Sequence, residues 1–203
     1  MEQKGFTIIE LIISIFILSI GVVGVFSAFS VMTILTAGTS DQLTAAYLAQ
    51  EGMEIVRNIR DTNWLNMDAC SGETCDFTWV DGLADETGVV HNPVHCVSGC
   101  KGDYTSESLS PYVATDYLNI DAHGFYSYGT GTQTKFIRKI IITPVTDVDN
   151  KSDHIIKVVA QVFWDEKATI LNPGVLASQS GCGAYNCITT EETLYDWYNY
   201  VNQ

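Results

Sequence analysis

Apolar residues form one long block near the start of the chain, and the pattern changes after it. Between Lys4 and Asp41 the only charged residue is Glu10. A transmembrane helix needs about 20 apolar residues, so this block is long enough to span a bilayer. The pattern predicts a helix over 6–37, about 48 Å long at 1.5 Å per residue. Because a bilayer core is about 30 Å thick, the surplus length is expected to pack against protein.

Beyond position 37 the pattern becomes amphipathic, which predicts that the helix continues over 38–64. Thr39 to Asp41 is a polar group of the type that caps a helix, so a cap is expected there. Glu54 and Arg57 are three residues apart and predict an ion pair that supports the helix from solvent. An apolar stripe at helical spacing predicts the face that packs on a globular domain. It consists of Leu48, Gly52, Ile55 and Ile59.

The second half of the chain carries strand patterns. Segments 136–145 and 155–164 are rich in β-branched residues, and a turn-forming sequence separates them, which predicts an antiparallel hairpin. Strand alternation places Arg138 and Lys139 on opposite faces of it. Shorter strands are predicted at 77–80, 125–128 and 194–200. A long amino-terminal helix packed on an antiparallel sheet gives an α+β fold class for the whole chain.

The charge balance bears on the partners. The chain has 24 acidic and 10 basic residues, a net charge of -14. Between Asp61 and Asp121 there are eleven acidic residues, and Lys101 is the only basic one. This disfavours nucleic acid as a partner, since phosphate binding requires Lys and Arg, although a small basic patch at Arg138 and Lys139 stays open.

Six cysteines fall in three close pairs, which predicts three disulfides in a domain outside the cytoplasm. Zinc is the competing interpretation, because four of the thiols could converge on one ion. However, no pair has the usual two-residue spacing of a zinc knuckle. Connectivity cannot be deduced from the sequence, so local pairing is a hypothesis. The candidate pairs are Cys70 with Cys75, Cys96 with Cys100, and Cys182 with Cys187.

The acid inside the apolar block needs a reason, because a carboxylate at a bilayer centre costs roughly 2.5–3.5 kcal/mol. A secretory signal has a shorter apolar stretch, and an ordinary membrane anchor requires neither Gly5 nor Glu10. A short polar leader, then Gly5, Phe6 and an acid at Glu10, resembles the signal shared by type IV pilins and pseudopilins. This resemblance is firm for residues 1 to about 35.

The resemblance implies a processing and assembly pathway. A prepilin peptidase would cut between Gly5 and Phe6 on the cytoplasmic side and methylate the new amino terminus. Glu10 would pair with the terminal amine of a neighbouring pilin subunit during assembly, a neutralisation that physics favours for two buried charges. The other implied partners are the lipid bilayer and the inner-membrane assembly platform. The chain would cross the cytoplasmic membrane once, with its carboxy-terminal domain outside, and reside in a surface or periplasmic filament after assembly.

The globular domain offers little chemistry of its own. Asp147, Asp149 and Asp153 form a weak calcium candidate that lacks the glycine and distal glutamate of an EF-hand, and a solvated hairpin tip is the simpler interpretation. No nucleophile–base signature or phosphate-binding loop occurs, so no cofactor and no enzymatic activity are expected. The many tyrosines are either a recognition surface or core residues.

These observations predict a structural filament subunit. Its expected parts are a leader at 1–5, an assembly helix at 6–37, the amphipathic continuation at 38–64 and a disulfide-closed β domain at 65–203. The chain length and the cysteine pairs favour a minor pilin or pseudopilin over a main repeating subunit. The alternative is a membrane-anchored extracellular binding module that never polymerises.

Overall fold

The computed structural model describes residues 5, 7–70, 78–83, 96–145, 155–165, 182 and 186–197. Within these ranges the chain forms one long helix followed by eight strands. The helix α1 is Ile8–Ala69. The strands are β1 Cys100–Lys101, β2 Ser110–Pro111, β3 Asn119–Ile120, β4 Tyr126–Ser127, β5 Thr132–Gln133, β6 Phe136–Pro144, β7 Ile155–Trp164 and β8 Cys187–Tyr195.

The chain divides into two compact units, Met1–Asp41 and Gln42–Gln203, and α1 contributes residues to both. The helix continues through Thr39 and Asp41, so the predicted cap at this point was wrong. Instead the Thr39 hydroxyl donates to the carbonyl oxygen of Leu35 at 3.0 Å. A hydroxyl that finds its acceptor in the preceding turn is compatible with a helix interior.

The described strands form two antiparallel sheets. The larger has the order β2-β1-β6-β7-β8, and the smaller has the order β4-β3-β5. β6 and β7 pair from Phe136 with Trp164 to Pro144 with Ile156, which confirms the predicted hairpin. The α+β fold class is therefore confirmed, and the arrangement of one long amino-terminal helix with antiparallel sheets is like that of pilins.

The core lies between the second half of α1 and one face of the larger sheet. The predicted stripe is buried, with Leu48, Ile55 and Ile59 each less than 10% exposed. Burying each such aliphatic side chain contributes roughly 1.5–3 kcal/mol. They belong to a single cluster with fully buried strand residues. Those strand residues are Ile140, Ile142, Ile156, Val158, Ala160 and Val162.

A buried arginine sits inside this otherwise apolar contact. Arg138 on β6 is fully buried and donates to the carbonyl oxygens of Leu48 at 3.1 Å and Gly102 at 2.7 Å. Its guanidinium is also 3.3 Å from the carboxylate of Glu51. Arg138 therefore contributes no surface charge, and the open possibility of a basic patch with Lys139 was wrong. The alternation of β6 is as predicted, because Lys139 is partly exposed on the opposite face.

Gly52 makes room for this arginine. A Cβ atom at position 52 would lie 3.0 Å from Cδ of Arg138 and 3.4 Å from Cβ of Ala160. These distances are at or below ordinary van der Waals contact. Since a glycine inside a helix costs about 1 kcal/mol relative to alanine, its presence here is explained by packing.

Gly52→Ala is expected to lower the free energy of unfolding by about 1 kcal/mol, since overpacking costs of roughly 1–3 kcal/mol exceed the helix-propensity gain. Thermal unfolding of the full-length protein in detergent micelles measures this. Gly38→Ala is the matched control, because a Cβ at Gly38 meets nothing within 4 Å. Equal effects of the two substitutions would contradict a packing role for Gly52.

The short strand predictions had mixed outcomes. The prediction at 125–128 is confirmed by β4, but residues 78–83 form turns, so the strand predicted at 77–80 was wrong over its described part. There the carboxylate of Asp81 accepts hydrogen bonds from Thr78, and the side-chain amide of Asn63 binds the carbonyl oxygens of Trp79 and Asp81. These side chains favour a turn over a strand ladder. The last strand was misplaced, because β8 runs from Cys187 to Tyr195.

Two of the three predicted disulfides lie in the described residues: Cys96–Cys100 and Cys182–Cys187. Gly99, inside the first loop, has a φ of 116°, and a Cβ there would lie 2.1 Å from Cε of Lys139. Only glycine fits such a left-handed, crowded position. Cys75 lies outside the described residues, so its pairing with Cys70 stays a prediction.

Candidate processing and assembly segment

The helix begins at the predicted processing motif, with a cap. The backbone amide of Glu10 donates to the Thr7 hydroxyl at 3.4 Å and to the Thr7 carbonyl oxygen at 3.1 Å. Thr7 is therefore the N-cap residue of α1, and Glu10 lies in the first turn, where a negative charge is favourable near the helix amino terminus. Sequence reasoning missed this role, although the spacing of a threonine three residues before a glutamate is the signature of a capping box.

The predicted cleavage position precedes this cap. Gly5 and Thr7 are both exposed and outside the helix, whereas Phe6 lies outside the described residues. A peptidase needs an accessible segment that is free of helical hydrogen bonds, and Gly5 satisfies both conditions. The assignments of Gly5 and Phe6 to processing and of Glu10 to assembly stay predictions.

The side chains of the first unit form an exposed apolar surface. Ile12, Phe16, Phe26 and Leu35 are each more than half exposed. The most apolar 18-residue window of α1 has a mean hydropathy of 2.7, and none of it is buried. By length and composition the helix is able to cross a membrane, and the burial of this surface requires lipid or other protein.

Five hydroxyl groups within this apolar helix bond to the helix itself. Each donates to the carbonyl oxygen four residues before it, at 2.7–3.0 Å. Such internal bonds let a hydroxyl occupy a water-free environment at low cost. The residues are Ser14, Ser19, Ser30, Thr33 and Thr36. Between Ile8 and Thr36 of α1, Glu10 is the one ionisable residue. It is therefore the residue of this stretch whose burial in a membrane has a large cost.

The remaining candidate residues do not form a second site in the described part of the chain. The calcium candidates Asp147, Asp149 and Asp153 lie outside the described residues and stay predictions. His123 is exposed in a turn, where its amide donates to Asp121 at 2.8 Å. Among the described residues no cluster of three or more His, Cys, Asp or Glu side chains is arranged to hold a metal ion.

Comparison with known proteins identifies the segment that begins the chain. Residues 1–26 match the family model of the prokaryotic N-terminal methylation motif. Curated proteins and solved structures yield no match to the chain. The match covers the processing residues, the helix cap and the first part of the apolar surface.

The chain therefore carries the signature of type IV pilins and pseudopilins. Together with the long apolar helix and the antiparallel sheets, this motif indicates a type IV pilin-like precursor. The motif implies processing by a prepilin peptidase and pilin assembly in general, and with the apolar helix it supports membrane anchoring. It points to a structural protein rather than to an enzyme.

Proposed function

We propose that this protein is a minor pilin or pseudopilin, a structural subunit of a type IV pilus or of a type II secretion-like filament. The observation that carries the proposal is the methylation motif at residues 1–26, located on a capped helix whose following residues are apolar and exposed. An exposed helix of this kind is stable in lipid before assembly and against other helices afterwards. The minor subtype is supported by the length of the chain and by its cysteine pairs.

In this proposal residues 1–5 are the leader, and residues 6–37 are the membrane and assembly helix. The amphipathic part of α1 joins that helix to the β domain, which remains outside the cytoplasmic membrane. Peptidase cleavage after Gly5 exposes the amine of Phe6, and Glu10 of one subunit neutralises this amine in a neighbouring subunit. The assembly platform in the inner membrane receives the processed subunit.

Amino-terminal mass spectrometry on protein extracted from the membranes of its native host tests the processing step. We expect a mature terminus at N-methylated Phe6, because the motif specifies cleavage between Gly5 and Phe6. Gly5→Leu is the matched variant and is expected to keep its leader, since a bulky residue obstructs entry into a protease site. An intact Met1 in the unsubstituted protein, or a cut beyond residue 30, would overturn the proposal.

A further inference from the structure

The last strand of the larger sheet has one edge that no described strand covers. β8 pairs with β7 from Ile155 with Tyr195 to Phe163 with Cys187, and β8 is the terminal strand of the order β2-β1-β6-β7-β8. Within the described chain, the opposite edge of β8 carries no ladder partner. A long edge strand is a ready template for pairing with another extended chain.

A groove runs beside this edge, between β8 and α1. Its volume is about 450 Å³. Tyr47, Glu54 and Arg57 line it from the helix, and Thr190 and Glu192 line it from the strand. Met53, which is only 3% exposed, also lines the groove and supplies apolar surface. Arg57 binds both Glu54 and Glu192, so an ion pair joins the two walls.

We propose that the edge of β8 and this groove bind an extended segment of another polypeptide. The segment adds to the sheet as a sixth strand and carries a lysine or arginine opposite Glu191. This binding does not depend on filament assembly and goes beyond the proposed function.

The geometry matches strand addition. Main-chain hydrogen bonds to β8 supply affinity, and alternate side chains of an added strand point to opposite faces. One set of side chains enters the groove beside Thr190 and Glu192, over Met53. The other set lies on the outer face beside Thr189, Glu191 and Thr193, which are all exposed. A groove between a helix and a sheet edge thus accommodates one extended chain.

The negative charge of Glu191 favours a basic segment over a second copy of this chain as the partner of β8. Glu191 is the central residue of β8, and its side chain is 64% exposed and forms an ion pair with Lys157 of β7 at 2.8 Å, which leaves the outer side of the carboxylate open to a second cation. Antiparallel pairing with the β8 strand of a second copy, in the register that overlaps the two strands fully, would place the two Glu191 residues opposite each other, and like charges in that position are destabilising. A lysine or arginine opposite Glu191 is favourable instead. The net charge of -14 also attracts a basic partner and repels a second copy.

Fluorescence anisotropy with the full-length protein in detergent micelles tests the proposal. The probe is a labelled nonapeptide of alternating valine and threonine with two central lysines. The first control peptide has glutamates in place of the lysines. The second keeps the lysines but carries N-methyl groups on alternate amides, which removes the main-chain donors needed for strand pairing. We expect the lysine probe to bind and both controls to bind at least tenfold more weakly.

Two charge-reversed variants locate the binding. Glu191→Lys is expected to weaken binding of the lysine probe about tenfold, or about 1.4 kcal/mol. Glu107→Lys, a matched reversal at an exposed position outside the groove, is expected to leave binding unchanged. Hydrogen exchange should show new protection of β8 amides when the probe is bound, and near-ultraviolet circular dichroism verifies that both variants remain folded.

Each other outcome overturns the proposal. Equal weakening by the two variants, or strong binding of the N-methylated peptide, would mean that the acidic chain attracts the probe without strand pairing. Absence of binding by the lysine probe, or protection of amides elsewhere than in β8, would mean that the edge is not a docking site.

Discussion

Arg138→Ala is expected to lower the free energy of unfolding of the unit Gln42–Gln203 by about 3–5 kcal/mol, the combined cost of an unpaired buried carbonyl oxygen and of the cavity left by a large buried side chain. At about 2–4 °C per kcal/mol for a unit of this size, the melting temperature should fall by roughly 10 °C. Thermal unfolding of the full-length protein in detergent micelles measures the effect, followed by the near-ultraviolet circular dichroism of the buried Trp64, Trp79 and Trp164.

The physical reason is that three parts of the fold meet at this guanidinium. It binds the Leu48 carbonyl oxygen of α1 and the Gly102 carbonyl oxygen after β1, and it faces Glu51. Without it, the Gly102 carbonyl oxygen loses a hydrogen bond, and a buried acceptor without a partner costs about 1–3 kcal/mol. Truncating a large, fully buried side chain also leaves a cavity, which adds to the loss.

The main chain of Arg138 is part of the same network. Its carbonyl oxygen accepts a hydrogen bond from the Tyr128 hydroxyl at 3.1 Å. Burial raises the pKa of Tyr128 to about 12, so this donor stays protonated well into the alkaline range. The network therefore ties the small sheet, through the segment after β4, to β6 and to the helix.

Two further variants separate charge from volume. Arg138→Met keeps most of the buried volume and is expected to cost about 1–3 kcal/mol, the penalty for leaving the Gly102 carbonyl oxygen without this hydrogen bond. Lys139→Ala, at the next position of β6 but on its outer face, should cost less than about 1 kcal/mol, because the cation–π contact of Lys139 with Tyr112 is partly exposed. If Arg138→Ala were as mild as Lys139→Ala, the buried network would not stabilise the fold.

The longest elements were predictable because each has a strong periodic pattern. The β6–β7 hairpin and the apolar stripe of α1 bury residues at the spacing that their period requires. The buried position of Arg138 was not predictable, since a charged residue in a strand normally indicates an exposed face. The Arg138 side chain is buried because Gly52 leaves room for it and the carbonyl oxygen of Gly102 accepts its hydrogen bond. Both glycines are distant from Arg138 in sequence. The position of β8 was also missed, because its pattern of threonine and glutamate resembles a polar loop.

The candidate site was predictable from the motif of Gly5, Phe6 and Glu10 and from the energetic cost of its acid. Glu10 stands out because an acid inside a membrane-length apolar block has a cost that ordinary anchors avoid. Thr7 lies within the same six residues. Its role as N-cap was missed because the processing motif already accounted for that segment. The groove beside β8 had no sequence signal, since its two walls come from Tyr47–Arg57 and Thr190–Glu192 and meet only in the fold.

Glu10→Gln is expected to abolish incorporation into filaments while processing and membrane anchoring continue. In the proposed filament the carboxylate of Glu10 neutralises the terminal ammonium of Phe6 in a neighbouring subunit within an apolar environment. Each charge buried alone costs several kcal/mol, and the pair costs much less, so an uncharged glutamine leaves the ammonium uncompensated. The measurement is the fraction of the protein in sheared filaments from the native host relative to its membranes, with mass spectrometry to verify the mature terminus.

Thr7→Val separates this pairing from the role of Glu10 at the start of the helix. It removes the capping hydroxyl, at a cost of about 1 kcal/mol, and leaves the carboxylate in place. The favourable effect of the Glu10 charge on the helix terminus has a similar size, about 0.3–1 kcal/mol. If Glu10 acts only on the helix, both variants should reduce assembly to a similar, modest extent. If Glu10 neutralises the neighbouring amine, Thr7→Val should still assemble and Glu10→Gln should not.

Two results would count against these proposals. Wild-type amounts of Glu10→Gln in filaments would contradict the pairing of Glu10 with the neighbouring amine. Absence of the unsubstituted protein from filaments would favour a membrane-anchored binding module that does not polymerise.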